Sequence, residues 1–385
     1  MSRGCAAATS VRIVLNSKNA TKSKYMDDRT LSRQEGTVHA DCRSAPVPAT
    51  AKRPRPQVIS FFCGAGGLDL GFAQAGFEVA FAADYDAAAI ATHNANGVTP
   101  VAQQIDLLKT TVPQLVRKLG AVTPEICPIG IIGGPPCQGF SRANTQRCHT
   151  DPRNDLAKRY ASMIVKLADL YPIEFFVFEN VPELLAKKNA AILSGLKRKL
   201  ATRFDVSLSC LNASDFGVPQ NRERVFLVGL RHRTDGPRTF QFPIAATAEK
   251  ATVRQAISSL PEPVFFDRGL RPGDIPHHPN HWTMRPRSSR FGPDLVTGGR
   301  SLIRLEWDKP SRTVAYGHRE IHVHPSGLRR LSIYEAMLLQ GFPPTYRLSG
   351  NLSQQVTQVS NAVPPPVARA IAESLAEHVH AHEAR

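Results

Sequence analysis

The sequence lacks any run of about 18 apolar residues, so no membrane-spanning helix is expected. Its first stretch, MSRGCAAATSVRIVLNSKNA, has no continuous apolar core of the length a secretory signal needs. The expectation is a cytoplasmic protein. No CxxC pair occurs among the seven cysteines, and an odd count at irregular spacing suggests neither a disulfide framework nor a zinc finger. No ligand spacing for a metal is found, and no internal repeat. Acidic residues are also short: 32 Asp and Glu face 48 Lys and Arg, for a formal net charge of +16. That excess suits a polyanionic partner, because each phosphate neutralised releases condensed counterions.

What is present is a chain of 385 residues, long enough for one large domain and a smaller insert. Residues 1–55 scatter Lys and Arg among Ser, Thr, Asn and Ala without apolar periodicity, and read as a basic, disordered tail. Val58–Phe62 is a short apolar run between Pro56 and a glycine cluster, as expected of a buried strand. A helix over Leu68–Ala75 ended by Gly76, a strand over Glu78–Ala83 and a helix over Ala87–His93 follow. Ile129–Ile132, Phe175–Phe178 and Val225–Val228 are further strands, with Leu156–Leu170 helical between them. This alternation predicts a parallel α/β sheet with helices on both faces. Between about Arg231 and Pro310 the rhythm stops in a stretch rich in Pro, Gly, His and Arg, which reads as a separate, loop-rich small domain. Helices return at Leu331–Leu339 and Val367–His378.

Four segments carry chemistry. Phe61-Phe-Cys-Gly-Ala-Gly-Gly-Leu-Asp-Leu-Gly71 follows a strand and opens a helix, so its backbone can approach a ligand closely. About twenty residues on, Asp84 can hold two ribose hydroxyls and Tyr85 can lie against a purine, with Asp106 a weaker candidate beside the base. Gly133-Gly-Pro-Pro-Cys-Gln-Gly-Phe-Ser141 follows another strand and presents Cys137 at the sheet edge where ligands bind, as a candidate thiolate nucleophile. The other cysteines, such as Cys127 and Cys210, fit small buried apolar residues. Phe178-Glu-Asn-Val-Pro182 places Glu179 and Asn180 at a strand end, where a carboxyl could donate a proton or bond an exocyclic amine. Gln220-Asn-Arg-Glu-Arg224 alternates Arg222 and Arg224, which should point the same way, toward a phosphate or a polar base.

These blocks, in this order, resemble the DNA cytosine-C5 methyltransferase family of bacterial restriction-modification systems. Arg329–Glu335, Leu339–Pro343 and Gln358–Pro364 resemble that family's last blocks. The resemblance covers Val58 to Arg231 and Arg312 to the C-terminus. It implies a doubly wound, Rossmann-like methyltransferase sheet dependent on S-adenosylmethionine. Residues 56–230 and 312–385 would form the catalytic domain, and residues 231–311 an inserted target-recognition domain. At one position the sequence departs from the pattern: Ser360 precedes Asn361 where the family usually has glycine. Serine is tolerated there unless the backbone needs a positive φ.

The resemblance also implies roles. Cys137 would attack C6 of a cytosine flipped out of the duplex, with Glu179 at N3 and the N4 amine. Arg224 would face the base oxygen and Arg222 would position the base or a phosphate. Phe62, Gly64, Ala65, Gly67, Asp84, Tyr85, Asp106, Leu107, Pro136, Leu156 and Asn361 would surround S-adenosylmethionine, with no metal required. In the insert, Asn280, His281, Arg285, Arg287, Ser288 and Arg290 are the side-chain types that read bases or hold phosphates. His277, His278 and His281, close together without a carboxylate or cysteine set, suit DNA contact or structure rather than a metal. The implied partners are double-stranded DNA and a cognate restriction endonuclease, for a monomer associated with the nucleoid. A tRNA cytosine-C5 methyltransferase is the rival within this chemistry, but its Cys-Phe-Thr block is absent. A catalytically silent DNA-binding relative would have no use for Cys137, Glu179 and Arg224 together.

Overall fold

The computed structural model describes residues 54–97, 99–136, 154–245, 249–297, 302–313 and 322–383. The basic tail through residue 53, and Cys137 itself, lie outside the described residues. The chain opens with β1 (Gln57–Phe61), α1 (Gly67–Gln74), β2 (Glu78–Asp84), α2 (Ala87–Asn96) and β3 (Ala102–Gln104). It continues through α3 (Val112–Val122), β4 (Gly130–Gly133), α4 (Asn154–Ala168), β5 (Phe175–Asn180), α5 (Ala190–Leu200) and β6 (Phe204–Asn212). A two-residue β7 (Gln220–Asn221) precedes β8 (Glu223–Arg231).

Seven strands form one sheet in the order β3-β2-β1-β4-β5-β8-β6. Alternate residues of each strand serve opposite faces, because successive side chains leave a strand on opposite sides. Ile59, Phe61, Phe176 and Phe178 pack with Leu115 of α3, Tyr160 and Ile164 of α4 and Leu196 of α5. Val58, Ile132, Phe175 and Val177 pack on the other face with Leu68 and Phe72 of α1 and with Val367, Ile371 and Leu375. The last three belong to α9 (Pro365–Glu383). The result is the three-layer, doubly wound arrangement expected.

One feature corrects the sequence reading. β1 to β5 pair in parallel, but β8 runs antiparallel to both β5 and β6. Parallel neighbours need a crossover, whereas residues 213–222 join β6 to β8 through a short 3-10 turn and Gly217 at φ 77°. An apolar run such as Val225–Val228 looks the same in either direction, so strand reversal is silent in the pattern. The order reverses between β1 and β4, and this switch point is where an open α/β sheet places its ligand.

The remaining elements are short. They are α6 (Val253–Ile257), β9 (Val264–Phe265), β10 (Trp282–Thr283), β11 (Ile303–Arg304), β12 (Ser311–Arg312), β13 (His322–Val323), α7 (Ile333–Leu339) and α8 (Leu352–Asn361). Their apolar side chains do not stop at residue 311. Val253, Ile257, Ile275, Trp282 and Leu305 share one cluster with Leu331, Ile333, Met337, Phe342, Tyr346 and Val359. The second lobe is therefore a loop-rich segment wrapped on α7 and α8. β12 further ties it to the first by pairing with β7.

At the centre of this lobe Arg329 donates two hydrogen bonds to Glu335, both at 2.9 Å, and a third to Glu262 at 2.6 Å. Glu335 also accepts from the Ser332 N–H while the Ser332 hydroxyl accepts from the Glu335 N–H, a capping box that starts α7. The fork geometry of Arg329 satisfies a carboxylate that is fully buried.

Candidate active site

The C-terminal ends of β1, β4 and β5 open into a cavity of about 220 Å³. Its first wall is the loop after β1. Phe62 adopts φ 56° and Gly64 φ 53°, so the chain turns sharply enough for the Gly64 N–H to donate to Asp84 at 2.9 Å. A bulky residue in the left-handed region is costly, and Phe62 is held there by its edge-on packing against Tyr160, with ring centroids 5.7 Å apart. Gly67 has no room for a side chain, since a Cβ would come within 2.2 Å of the Val363 carbonyl. Asp84, at the end of β2, also accepts from the Asp86 N–H at 2.9 Å. Burial raises its carboxyl above the usual range, against the lowering effect of these backbone donors.

Beneath this loop, Asp69 accepts from the Ser60 hydroxyl at 2.6 Å and from His93 Nε2 at 2.7 Å. Cys63, Asp69 and His93 bring their polar atoms within 4.8 Å of one another, a juxtaposition their sequence spacing did not suggest. Burial pushes the Cys63 thiol up, so it stays neutral. Two other cysteines depart from expectation: Cys210 is exposed, and Cys127 is disulfide-bonded.

The second wall is the turn that leads into Cys137. A Cβ on Gly134 would lie 2.6 Å from Glu179 Oε2, and Asn180 Nδ2 donates to the Pro135 carbonyl at 3.2 Å. The turn is therefore seated directly on Glu179 and Asn180. Glu179 faces Arg224, whose Nε is 3.0 Å from Glu179 Oε1. This contact depends on the reversed strand: antiparallel pairing sets Glu179 opposite Phe226 and Asn180 opposite Val225, so β8 starts where β5 ends. Burial raises the Glu179 carboxyl, while Arg224 and Arg222 pull it down.

The cavity gathers Phe62, Gly64, Ala65, Gly67, Asp84, Pro136, Glu179, Arg224 and Asn361, nine of the residues singled out in the sequence. Tyr85 is 72% exposed and, like Asp106, Leu107 and Leu156, is not among the described residues that line it. Asp106 instead accepts from the Leu108 N–H at 3.0 Å. Asp86, Thr357, Gln358 and Val363 line the cavity without having been anticipated. Thr357 and Gln358 stand four and three residues before Asn361, on the same face of α8, a spacing that could have found them.

Three expectations need correction. Arg222 does not point with Arg224; it is buried and donates to the carbonyls of Ser360 and Ala362 at 2.8 and 3.0 Å. Asn280 and His281 are buried too, and are struts rather than base readers. Asn280 donates to the Leu348 carbonyl and to Gln355, both at 3.0 Å, and accepts from the Leu348 N–H at 2.9 Å. His281 Nδ1 accepts from the Ser332 hydroxyl at 2.9 Å and Nε2 donates to the Pro261 carbonyl at 2.7 Å. His278 stacks on Tyr334 with centroids 4.0 Å apart. Arg285 has its guanidinium 5.0 Å from the Phe265 ring centroid, Arg287 and Arg290 are exposed, and Ser288 is half-buried. Ser360 has no positive φ; it sits in the last turn of α8, and its hydroxyl donates to the Val356 carbonyl at 2.8 Å.

A doubly wound sheet with one reversed strand, and a switch-point cavity joining a glycine loop to an acid–base pair, define a Rossmann-like methyltransferase. Over residues 56–377 the chain matches the family described as C-5 cytosine-specific DNA methylase, and it belongs to that family. It is 33% identical to the type II methyltransferase M.MthTI of Methanothermobacter thermautotrophicus, covering 83% of this chain and 96% of that one. M.FnuDI of Fusobacterium nucleatum is 32% identical over 83% and 94%. A solved structure described as a DNA modification methyltransferase encoded within an E. coli prophage superposes with a TM-score of 0.69 at 25% identity. It covers 84% of this chain and 99% of that one. The protein is thus a DNA (cytosine-5) methyltransferase of the type II, restriction-modification kind.

Proposed function

We propose that the enzyme takes its methyl group from S-adenosylmethionine and places it on one cytosine of a short duplex sequence, through a covalent bond from Cys137 to C6. The observation that carries this reading is the seating of the Gly133–Pro136 turn on Glu179 and Asn180. It brings Pro136, the residue before Cys137, into one cavity with the buried Glu179 carboxyl and with Asp84, an acidic group suited to ribose hydroxyls.

The chain's residues fit the donor. Asp84 presents a carboxyl for ribose hydroxyls, Phe62 lines the cavity beside it, and Gly67, where a Cβ would strike the Val363 carbonyl, lets the Asn361–Val363 wall close on the loop. Bound there, S-adenosylmethionine would supply an electrophilic methyl group for C5. Everything else falls to the protein. The target base leaves the stack at a cost of about a few kcal/mol. The Cys137 thiolate forms a bond to C6, and the ring electrons pass toward C5 and N3. Glu179, whose carboxyl burial raises against the pull of Arg224 and Arg222, shares a proton with N3 and accepts from the N4 amine. Arg224 balances charge at the base oxygen. After methylation, water takes the C5 proton, the C5–C6 double bond re-forms, and Cys137 leaves.

Recognition is assigned to residues 231–311, supported from below by α7 and α8, with Arg285, Arg287, Ser288 and Arg290 as the remaining contacts to DNA. The enzyme acts as a monomer on duplex DNA at the nucleoid of the cytoplasm, protecting sites from a partner endonuclease. Bisulfite sequencing of plasmid DNA from an expressing host, beside a Cys137→Ala control, tests the whole reading. Protected cytosines at one recurring site, lost in the control, are expected. Unprotected DNA with folded enzyme would refute it.

A further inference from the structure

Arg222 heads the fully buried side chains by size. Taking a guanidinium out of water costs several kcal/mol unless its donors are met, so such a residue is kept where its hydrogen bonds matter. A phosphate contact would need an exposed head group, and this one is 1% exposed. Its Nη2 instead bridges the carbonyls of Ser360 and Ala362, on either side of Asn361. Asn361 ends α8, where carbonyls are left without helical partners and carry partial negative charge. Pro364, Pro365 and Pro366 follow, and none has an N–H to offer. Donors from elsewhere in the fold have to take that place, and Arg222 is one of them.

The same carbonyls are held from a second side. Gln340 Nε2 donates to Ala362 at 2.7 Å and to Val359 at 3.2 Å, and Gln220 in turn donates to Gln340 and to the Leu339 carbonyl. Asn361 and Val363 both line the cavity, and the Val363 carbonyl fits against Gly67. At its other end Arg222 is anchored through its backbone. Its N–H donates to Asn212 at 2.9 Å and its carbonyl accepts from Ala213 at 2.9 Å. Two residues further along the same strand run, Arg224 meets Glu179.

We infer that Arg222 is a positioning residue for the methyl donor, fixing Asn361–Val363 against the frame that carries Arg224 and Glu179, and is not a DNA contact. The inference rests on the S-adenosylmethionine reading. It gives the two reactants one common reference: the strand that supports the base also sets the donor's wall.

The test uses the full-length enzyme, with S-adenosylmethionine binding measured by calorimetry. Binding to a mixed-sequence DNA duplex is measured over a range of salt. Arg222→Lys, which keeps the charge but loses the fork, is expected to weaken donor binding about tenfold, with the loss in the donor KM rather than in kcat. The slope of log affinity against log salt should stay at the wild-type value. Gln340→Met, which removes the second donor to the same carbonyl, should act in the same direction by about threefold, and the double variant should fall short of the product because the two share a partner. A slope reduced by about one would mark Arg222 as a phosphate contact and overturn the inference. Unchanged donor affinity in a folded Arg222→Lys would also overturn it. If that variant does not fold, unchanged affinity in Gln340→Met decides against it. A wild-type enzyme that binds no S-adenosylmethionine would refute the cofactor reading itself, a separate result.

Discussion

In the first lobe, β1, β4 and β5 bury the runs Val58–Phe61, Gly130–Gly133 and Phe175–Asn180, and the ladder between backbones supplies the hydrogen bonds. In the second lobe the strands are two residues long, and the buried bonds run through side chains: Arg329 to Glu335, Asn280 to Leu348 and Gln355, His281 to Ser332 and Pro261. Backbone ladders leave strand side chains free to vary, so the first lobe keeps its specific polar residues at the strand ends and in the loop after β1. A lobe built from side-chain bonds depends on each one, because a buried partner left alone keeps its full desolvation cost.

If the chemistry belongs to the first lobe alone, Cys137→Ala should reduce methyl transfer by about 10⁴-fold or more while S-adenosylmethionine still binds. Turnover near wild type would place the nucleophile elsewhere. In the second lobe, Arg329→Met strands the Glu335 carboxylate and should cost about 3–5 kcal/mol in denaturant unfolding. A loss under about 1 kcal/mol would show that the lobe does not lean on this pair.

Acid should separate the lobes. Burial lowers His278 and His322 to about 4, and lowers His281 and His324 in the same direction. Each is neutral when folded and binds a proton more readily when unfolded. Their contribution is complete above the ordinary histidine value of about 6.5 and is lost as pH falls from there toward 4. Limited proteolysis at pH 5 should therefore cut first between residues 250 and 348, whereas at pH 8 that segment should resist. Equal protection at both pH values would mean that these histidines do not stabilise the lobe. The smallest effect is expected at Ser360→Gly. Helical φ makes glycine slightly unfavourable, by about 0.5–1 kcal/mol, with donor affinity unchanged within about twofold. A tighter-binding glycine variant would show that the serine strains the pocket.

This contrast also explains what could be read from the sequence. β1, α1, β2, α2, β4, β5 and α9 were legible because continuous apolar runs and capping residues mark buried strands and amphipathic helices regardless of what lies beside them. Phe62, Gly67, Asp84, Glu179, Arg224 and Asn361 were legible because they sit at the ends of such elements, in blocks with few structural alternatives. The reversal of β8 was not, since an apolar run carries no arrow. Asn280 and His281 misled because polar residues in a Pro- and Gly-rich stretch look exposed, and only tertiary contacts reveal that their hydrogen bonds are internal. Arg222 misled for the opposite reason: residues two apart share a face only where the strand is regular, and it falls at the break between β7 and β8.

The packing of α9 on α1, and of Val363 on Gly67, has a consequence for the timing of synthesis. The two sides of the cavity are separated by roughly 300 residues of chain, so one side exists long before the other. A ribosome adding about 5–20 residues per second makes the glycine loop well before the Asn361–Val363 wall. A chain that stops before Asn361 carries Gly67, Asp84, Glu179 and Arg224 but lacks the wall that closes on them. The pocket can therefore close only once Asn361–Val363 has been made.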